Sequence, residues 1–122
     1  MEWYAIRMAE TYLLRAEAYL KNDNKVAAAA DINVVRARAN AAPVQANNVD
    51  IDYLLDERAR ELYAEEFRTL TLCRMGLLYD RTKRFGYEVS SRTVGEKNNL
   101  CPIPQSVIDA NSQAEFPNNP GF

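Results

Sequence analysis

The sequence predicts an all-α domain made of a helical hairpin, a long helix and a loop-rich C-terminal segment. Three observations predict it. Apolar residues recur at spacings of three and four over residues 3–22 and 51–79, the period of a helix with one face in a core. Asn22-Asp23-Asn24 interrupts the first pattern with short polar side chains that favour turns and helix N-caps. Beyond Gly86 the helical period is lost and Ser, Thr, Asn and Pro take over.

In the first helix, residues 3–22, one stripe is Ile6, Ala9, Leu13, Ala16 and Leu20. Met8, Tyr12 and Tyr19 form a second, adjacent stripe, so the helix packs on two sides. Arg7, Glu10, Arg15 and Glu17 read as a solvated or mutually paired charged edge. The second helix spans residues 25–39. Ala27 to Ala30 give it a surface that another helix can approach closely, and Ile32, Val35 and Ala39 continue the face. Asn40 is a left-handed stop and Pro43 prevents continuation. Ala16 through Ala28 is similar to part of a tetratricopeptide repeat: a small residue, an aromatic, a polar turn, then small residues opening the next helix. No clean second copy follows at the expected period of about 34 residues.

Residues 41–49 form a polar, Asn-rich linker, and Asp50 caps the long helix with Asp52 in its first turn. That helix, residues 51–79, contains good helix formers and no proline. Its predicted buried positions are Leu55, Ala59, Leu62, Tyr63, Phe67, Leu70 and Leu77. Gly76 is a bend, a last helical piece covers residues 77–84, and Gly86 ends it. Residues 87–99 read as a long surface loop, with a short strand suggested by the alternation of Tyr87, Val89 and Ser91. Pro102 and Pro104 impose an extended segment. Residues 105–110 form a turn or two of helix, and the irregular tail docks by burying Phe122.

The chain has 122 residues, 48% hydrophobic and 26% charged, which suits one soluble globular domain. A net charge of −2 argues against a nucleic-acid backbone as partner. No run approaches ~20 apolar residues, and no basic stretch at the start marks a signal peptide. Histidine is absent, which removes His-based triads, the HExxH metalloproteases and Glu-x-x-His di-iron sites. Cys73 and Cys101 fit no zinc spacing and read as free, mostly buried thiols, with a disulfide as the alternative.

Glu57, Glu61 and Glu65 lie four apart on one helical face, where like charges repel unless neutralised. The leading reading is an ion-pair network linking helices, with Arg58, Arg60, Arg68 and Arg74 nearby. The rivals are a carboxylate metal site and paired-carboxylate hydrolysis, which needs two acids facing each other across a cleft. Trp3, Tyr4, Tyr53, Tyr63, Tyr79, Phe85 and Tyr87 are aromatic platforms in principle. Those within helices read mainly as packing. Tyr79, Phe85 and Tyr87, close to a loop, are the candidate ligand-binding residues. No catalytic residue, metal ligand or cofactor motif is assigned.

Four segments in order resemble the C-terminal part of the SusD/RagB family. Ile6 through Ala18 is similar to its R-x-A-E-x-Y-L-x-x-A-E-A helix. Val35-Arg36-Ala37-Arg38-Ala39 is similar to V-R-x-R-A, with Asn40 where Gly is common. Asp56-Glu57-Arg58-Ala59-Arg60-Glu61-Leu62 through Glu65, Arg68, Leu72 and Arg74 is the third. Pro102-Ile103-Pro104-Gln105-Ser106 through Ile108, Asp109 and Asn111, closing on Asn119-Pro120-Gly121-Phe122, is the fourth. Glu66 stands where the family commonly has Gly, and Thr69 and Thr71 replace its aromatic and Asp-Leu pattern.

The resemblance implies a non-enzymatic, outer-membrane, cell-surface lipoprotein of Bacteroidetes that binds nutrients, most often glycans. It implies an oligosaccharide ligand and a SusC-like TonB-dependent transporter as partner. Any membrane contact runs through a lipid anchor absent from this chain, since neither Cys73 nor Cys101 matches the lipid-bearing cysteine. Full members are several times longer, so the chain is expected to be a single C-terminal helical domain, residues 1–122, of a longer protein. The alternative is a stand-alone tetratricopeptide-like protein-interaction module.

Overall fold

The structure is a computed structural model that describes residues 6–122. The predicted start at Trp3, and the aromatics Trp3 and Tyr4, lie outside the described residues. These residues form α1 (Met8–Lys21), α2 (Lys25–Arg38), α3 (Ile51–Glu61), α4 (Arg68–Arg74), α5 (Leu78–Phe85), α6 (Glu88–Thr93) and α7 (Gln105–Ala110). Short 3-10 turns cover Ala46–Asn48 and Glu96–Asn99. The all-α class predicted from the sequence stands. The chain divides into two compact units, Met1–Glu66 and Phe67–Phe122.

The N-terminal unit is built on the predicted hairpin. Asp23 takes a left-handed conformation in the turn, and Asn24 caps α2 by accepting from the Ala27 N–H at 3.0 Å. Ala9, Leu13 and Ala16 of α1 share the core with Ala28, Ala29, Ile32 and Val35 of α2. The small alanines let the helices approach closely. The outer ends of the predicted stripes are not in this core: Ile6 and Met8 are exposed. Asn40 stops the second helix with φ 53°, as expected.

The linker is less polar in effect than in composition. Val49 is fully buried. Asn33 clasps Val44 with both ends of its amide, accepting from the Val44 N–H at 2.8 Å and donating to its carbonyl at 3.0 Å. Asp50 then caps α3 through the Tyr53 N–H at 2.8 Å.

The predicted long helix is broken. α3 ends at Glu61, Ala64 adopts φ 61°, and a new helix begins at Arg68. The reason lies in Glu66. Its carboxylate accepts from Arg58 Nε at 2.6 Å, and a second Arg58 nitrogen pairs with it. Eight residues along a continuous helix are about 12 Å apart, so the chain must fold back to make this pair. The apolar phase changes with the break. Leu54, Leu55 and Leu62 are buried, whereas Ala59, Tyr63, Phe67 and Leu70 are exposed.

In the C-terminal unit Gly76 joins α4 to α5 at φ 69°, and α5 ends against Gly86 as predicted. Within residues 87–99, where a loop or short strand was expected, α6 and the 3-10 turn Glu96–Asn99 form, joined by extended Val94 and Gly95. Both cysteines are free thiols; Cys73 is half-buried and Cys101, against expectation, is exposed. α6 is held by the Glu88–Arg92 pair one turn apart and by Thr93 Oγ1 donating to the Val89 carbonyl at 3.1 Å. Asn118 clasps Ile103, accepting from its N–H at 2.8 Å and donating to its carbonyl at 3.1 Å. The tail docks on Lys97 rather than in a core. Lys97 Nζ donates to the Gly121 carbonyl at 3.0 Å and lies 4.7 Å from the centre of the Phe122 ring, which stays 44% exposed. Gly121, at φ 91°, also gives Lys97 room, since a Cβ there would lie 3.1 Å from its side chain.

Ala64 pays a backbone cost that glycine does not. Ala64→Gly is therefore expected to raise the stability of the chain by about 0.5–1 kcal/mol in urea melts, and Ala64→Val to lower it.

Candidate functional site

The three carboxylates of α3 and the turn after it are neutralised by arginines, two of which come from α2 and one, Arg7, from the N-cap of α1. Glu57 accepts from Arg36 at 2.8 Å and from Arg60 at 2.7 Å. Glu61 accepts from Arg7 at 2.7 Å and from Arg38 at 2.8 Å, and Arg7 also donates to the Glu61 carbonyl at 2.6 Å. The exposed Glu65 shares Arg7. The expected ion-pair network exists, but of the four arginines expected to supply it, only Arg60 bonds one of the three. Arg7, Arg36 and Arg38 do the rest, tying α3 to the hairpin. Among the described residues no His, Cys, Asp or Glu group of three or more is gathered for a metal ion.

Arg58 sits inside this layer, 1% exposed, between Glu66 and Glu10, the latter at 3.6 Å. The edge predicted for α1 is paired in part with α2 and in part along α1 itself. Arg15 forms two 2.7 Å bonds to Asp31 of α2, and the buried Glu17 pairs with Lys21 at 2.9 Å. Burial pushes the Glu61 carboxyl up, but the hydrogen bonds and charges of Arg7 and Arg38 outweigh it and hold it below the usual carboxylate range. The same bonds to Glu65 and Glu61 raise Arg7, and Asp31 raises Arg15.

The candidate aromatics belong to α5 and the segment following it. Tyr79 is half-buried. Its N–H donates to Asn99 Oδ1 at 3.0 Å, and Lys83 Nζ lies 5.7 Å from the ring centre. Phe85 is exposed beneath two guanidiniums, Arg81 at 4.3 Å and Arg84 at 4.8 Å. Tyr87, beyond Gly86, is 89% exposed. Six helical residues place Tyr79 and Phe85 about 120° apart around α5, so they do not form one flat platform. Phe85 and Tyr87 offer apolar area to a ligand, and Arg84 supplies donors beside it. Periodicity alone could not show the guanidiniums over Phe85; the spacing of one and four residues is the signal that was available.

A groove of about 410 Å³ opens between α1 and α2 in the N-terminal unit. Met8, Tyr12 and Val34 give it an apolar lining, and Arg7 and Arg38 stand at its margin. Sequence reasoning assigned Met8 and Tyr12 to packing and did not single out Val34.

The family model described as the SusD family matches residues 1–122. The chain is 35% identical over 121 residues to the starch-binding protein SusD of Bacteroides thetaiotaomicron, an alignment covering 95% of this chain and 21% of that protein. The chain thus spans about a fifth of the length of this curated relative. No solved structure matches.

Two outcomes are expected. Arg58→Ala removes the buried cation that Glu66 and Glu10 share and should cost about 3–5 kcal/mol in denaturant melts. Because the folded-state pKa of Glu61 is lowered, its contribution is complete above the ordinary value of 4.5 and is lost as pH falls through the lower folded value. Melting temperatures of wild type and Glu61→Gln should therefore differ at neutral pH and converge in acid.

Proposed function

This chain belongs to the SusD family, and we propose that it is the helical scaffold portion of a cell-surface protein that binds glycan nutrients. The observation that carries this reading is the family match over the whole chain, together with a relative named for binding starch. The bound oligosaccharide passes to a SusC-type TonB-dependent transporter in the outer membrane. The protein captures and delivers, and no bond is broken. No helix among the described residues is long and apolar enough to cross a membrane. Attachment through a lipid on a part of the protein outside this chain fits that reading.

Ligand contact is assigned to Tyr79, Phe85 and Tyr87. Tyr87 offers a ring face to the apolar side of a sugar, Phe85 offers the part of its ring that Arg81 and Arg84 leave exposed, and Arg84 offers hydrogen bonds to the sugar hydroxyls. Tyr79 is the least accessible and acts at the margin. The chain is proposed to be one portion of a longer protein whose remaining segments build much of the ligand site.

A second reading, a helical module that docks a peptide, draws on the groove between α1 and α2. Its apolar lining suits the apolar face of a peptide segment.

Affinity gel electrophoresis against starch and other soluble polysaccharides tests the first reading. Retardation is expected, with Tyr87→Ala and Phe85→Ala each weakening binding about 3–10-fold, the worth of one stacking contact. Absence of retardation by every polysaccharide overturns the assignment of ligand contact to this chain. Val34→Asp separates the two readings: it should abolish peptide docking and leave glycan retardation unchanged.

A further inference from the structure

Gly86 stands between the exposed rings of Phe85 and Tyr87, and its backbone does not need a glycine. Its φ of −75° and ψ of 162° are extended values open to any residue. Space explains it instead. A Cβ at this position would lie 2.5 Å from the Thr82 carbonyl oxygen, 3.0 Å from Thr82 Cγ2 and 3.3 Å from the Thr82 carbonyl carbon. The carbonyl is backbone and cannot swing aside. The Gly86 N–H donates to that same oxygen at 2.9 Å, closing the last turn of α5.

The exit from α5 is therefore tight, and the connection that follows is short. Phe85 is the last residue of α5, and Tyr87, extended at φ −60° and ψ 153°, is the N-cap of α6. Lys83 Nζ donates to the Ser91 carbonyl at 2.5 Å and braces α6 against α5. The two rings, 62% and 89% exposed, spring from backbone points two residues apart, a span of at most about 7 Å. That is the scale of one unit of a sugar chain.

We propose that Gly86 is the positioning residue of the ring site, and that the corner it makes offers Phe85 and Tyr87 to neighbouring units of one sugar chain. The occupant is an oligosaccharide of two or more units, and a single sugar engages one ring only. This inference rests on the ligand reading above. Any side chain at position 86 must open the last turn of α5 or push the chain outward. Either movement carries Tyr87 away from its place beside Phe85. A sugar chain held by both rings then loses one of two stacking contacts, whereas a single sugar loses none, because each ring survives intact. Thr82 is half-buried, and Phe85, Gly86 and Tyr87 are exposed, so the change stays outside the buried residues of the unit.

The test is affinity electrophoresis of the whole chain in soluble starch and other soluble polysaccharides. The mono-, di- and tetrasaccharide of the polymer that retards it serve as competitors; for starch these are glucose, maltose and maltotetraose. The readout is the ratio of tetrasaccharide to monosaccharide affinity, which does not depend on how much of a variant is folded. The ratio should fall about 3–10-fold in Gly86→Ala, as it should in Phe85→Ala and Tyr87→Ala. Gly95→Ala, where a Cβ meets nothing closer than 3.8 Å, should keep the wild-type ratio. An unchanged ratio in Gly86→Ala overturns the positioning role, as does an equal fall in Gly95→Ala. Equal affinity of the wild type for monosaccharide and tetrasaccharide overturns the two-unit occupant. A wild type that no polysaccharide retards overturns the ligand reading itself, which separates that failure from the others.

Discussion

The buried guanidinium of Arg58 is the constraint on which the N-terminal unit depends. A cation 1% exposed must be paired, since leaving it alone in the interior costs several kcal/mol. Glu10 on α1 and Glu66 beyond the end of α3 meet that demand from two directions. The first requirement fixes how α3 lies on the hairpin. The second ends α3, because Glu66 reaches Arg58 only if the chain turns back at Ala64. Around this pair the remaining charges of α3 repeat the pattern, with Arg7, Arg36 and Arg38 brought to Glu57 and Glu61. Such pairs add modestly to net stability after desolvation, but each forbids the packings that would strand a buried charge. The apolar residues supply the driving force for burial, and the charges select one arrangement.

This division explains what could be read from the sequence. The hairpin, its Asn24 cap, the Asn40 stop, the Asp50 cap and the Gly76 and Gly86 breaks are local features, governed by backbone conformation within a few residues. The break after Glu61 is not local. Every residue from Leu62 to Glu66 is a tolerable helix former, and only a tertiary pair overrides that preference. Reading residues 51–79 as one helix then carried the apolar phase across the break, so exposed Tyr63, Phe67 and Leu70 were placed on a buried face. The resemblance held a clue in Glu66, standing where Gly is common, but its partner was not visible. Three of the arginines that neutralise Glu57 and Glu61, namely Arg7, Arg36 and Arg38, lie 21 to 54 residues away in sequence. A helical-spacing argument, which sees neighbours three and four residues away, could find only Arg60. For the candidate aromatics, the sequence located Phe85 and Tyr87 on accessible ground, while the partial burial of Tyr79 depends on how α5 is packed.

The two units are held together internally by different means. The N-terminal unit has a continuous apolar core from Ala9 to Leu62. In the C-terminal unit Leu72 is the buried hydrophobic side chain among the described residues, and the other buried ones are Thr71 and Arg81. Asparagine amides take over part of the holding role. Asn118 presents to Ile103 a donor and an acceptor in the manner of a neighbouring strand, and Asn99 and Asn119 engage Tyr79 and Cys101. The bonds of Asn118 and Asn119 fix the extended segment around Ile103, which has no regular structure of its own, and that of Asn99 ties a short 3-10 turn to the start of α5.

A unit held by polar clasps leaves its large side chains on the outside: Phe85, Tyr87, Val89, Leu100, Val107 and Phe116 are all exposed. Scattered apolar exposure is ordinary on protein surfaces, but exposed rings next to guanidiniums are of another kind. Two guanidiniums lie over the ring of Phe85, which stays exposed around them, whereas Tyr87 is almost fully exposed. Under the proposed glycan reading, a sugar is the ligand whose surface matches, apolar on its C–H face and polar around its rim. Capture of that surface needs rings that are not consumed by the core, and a unit that draws little of its own stability from aromatic burial leaves them available.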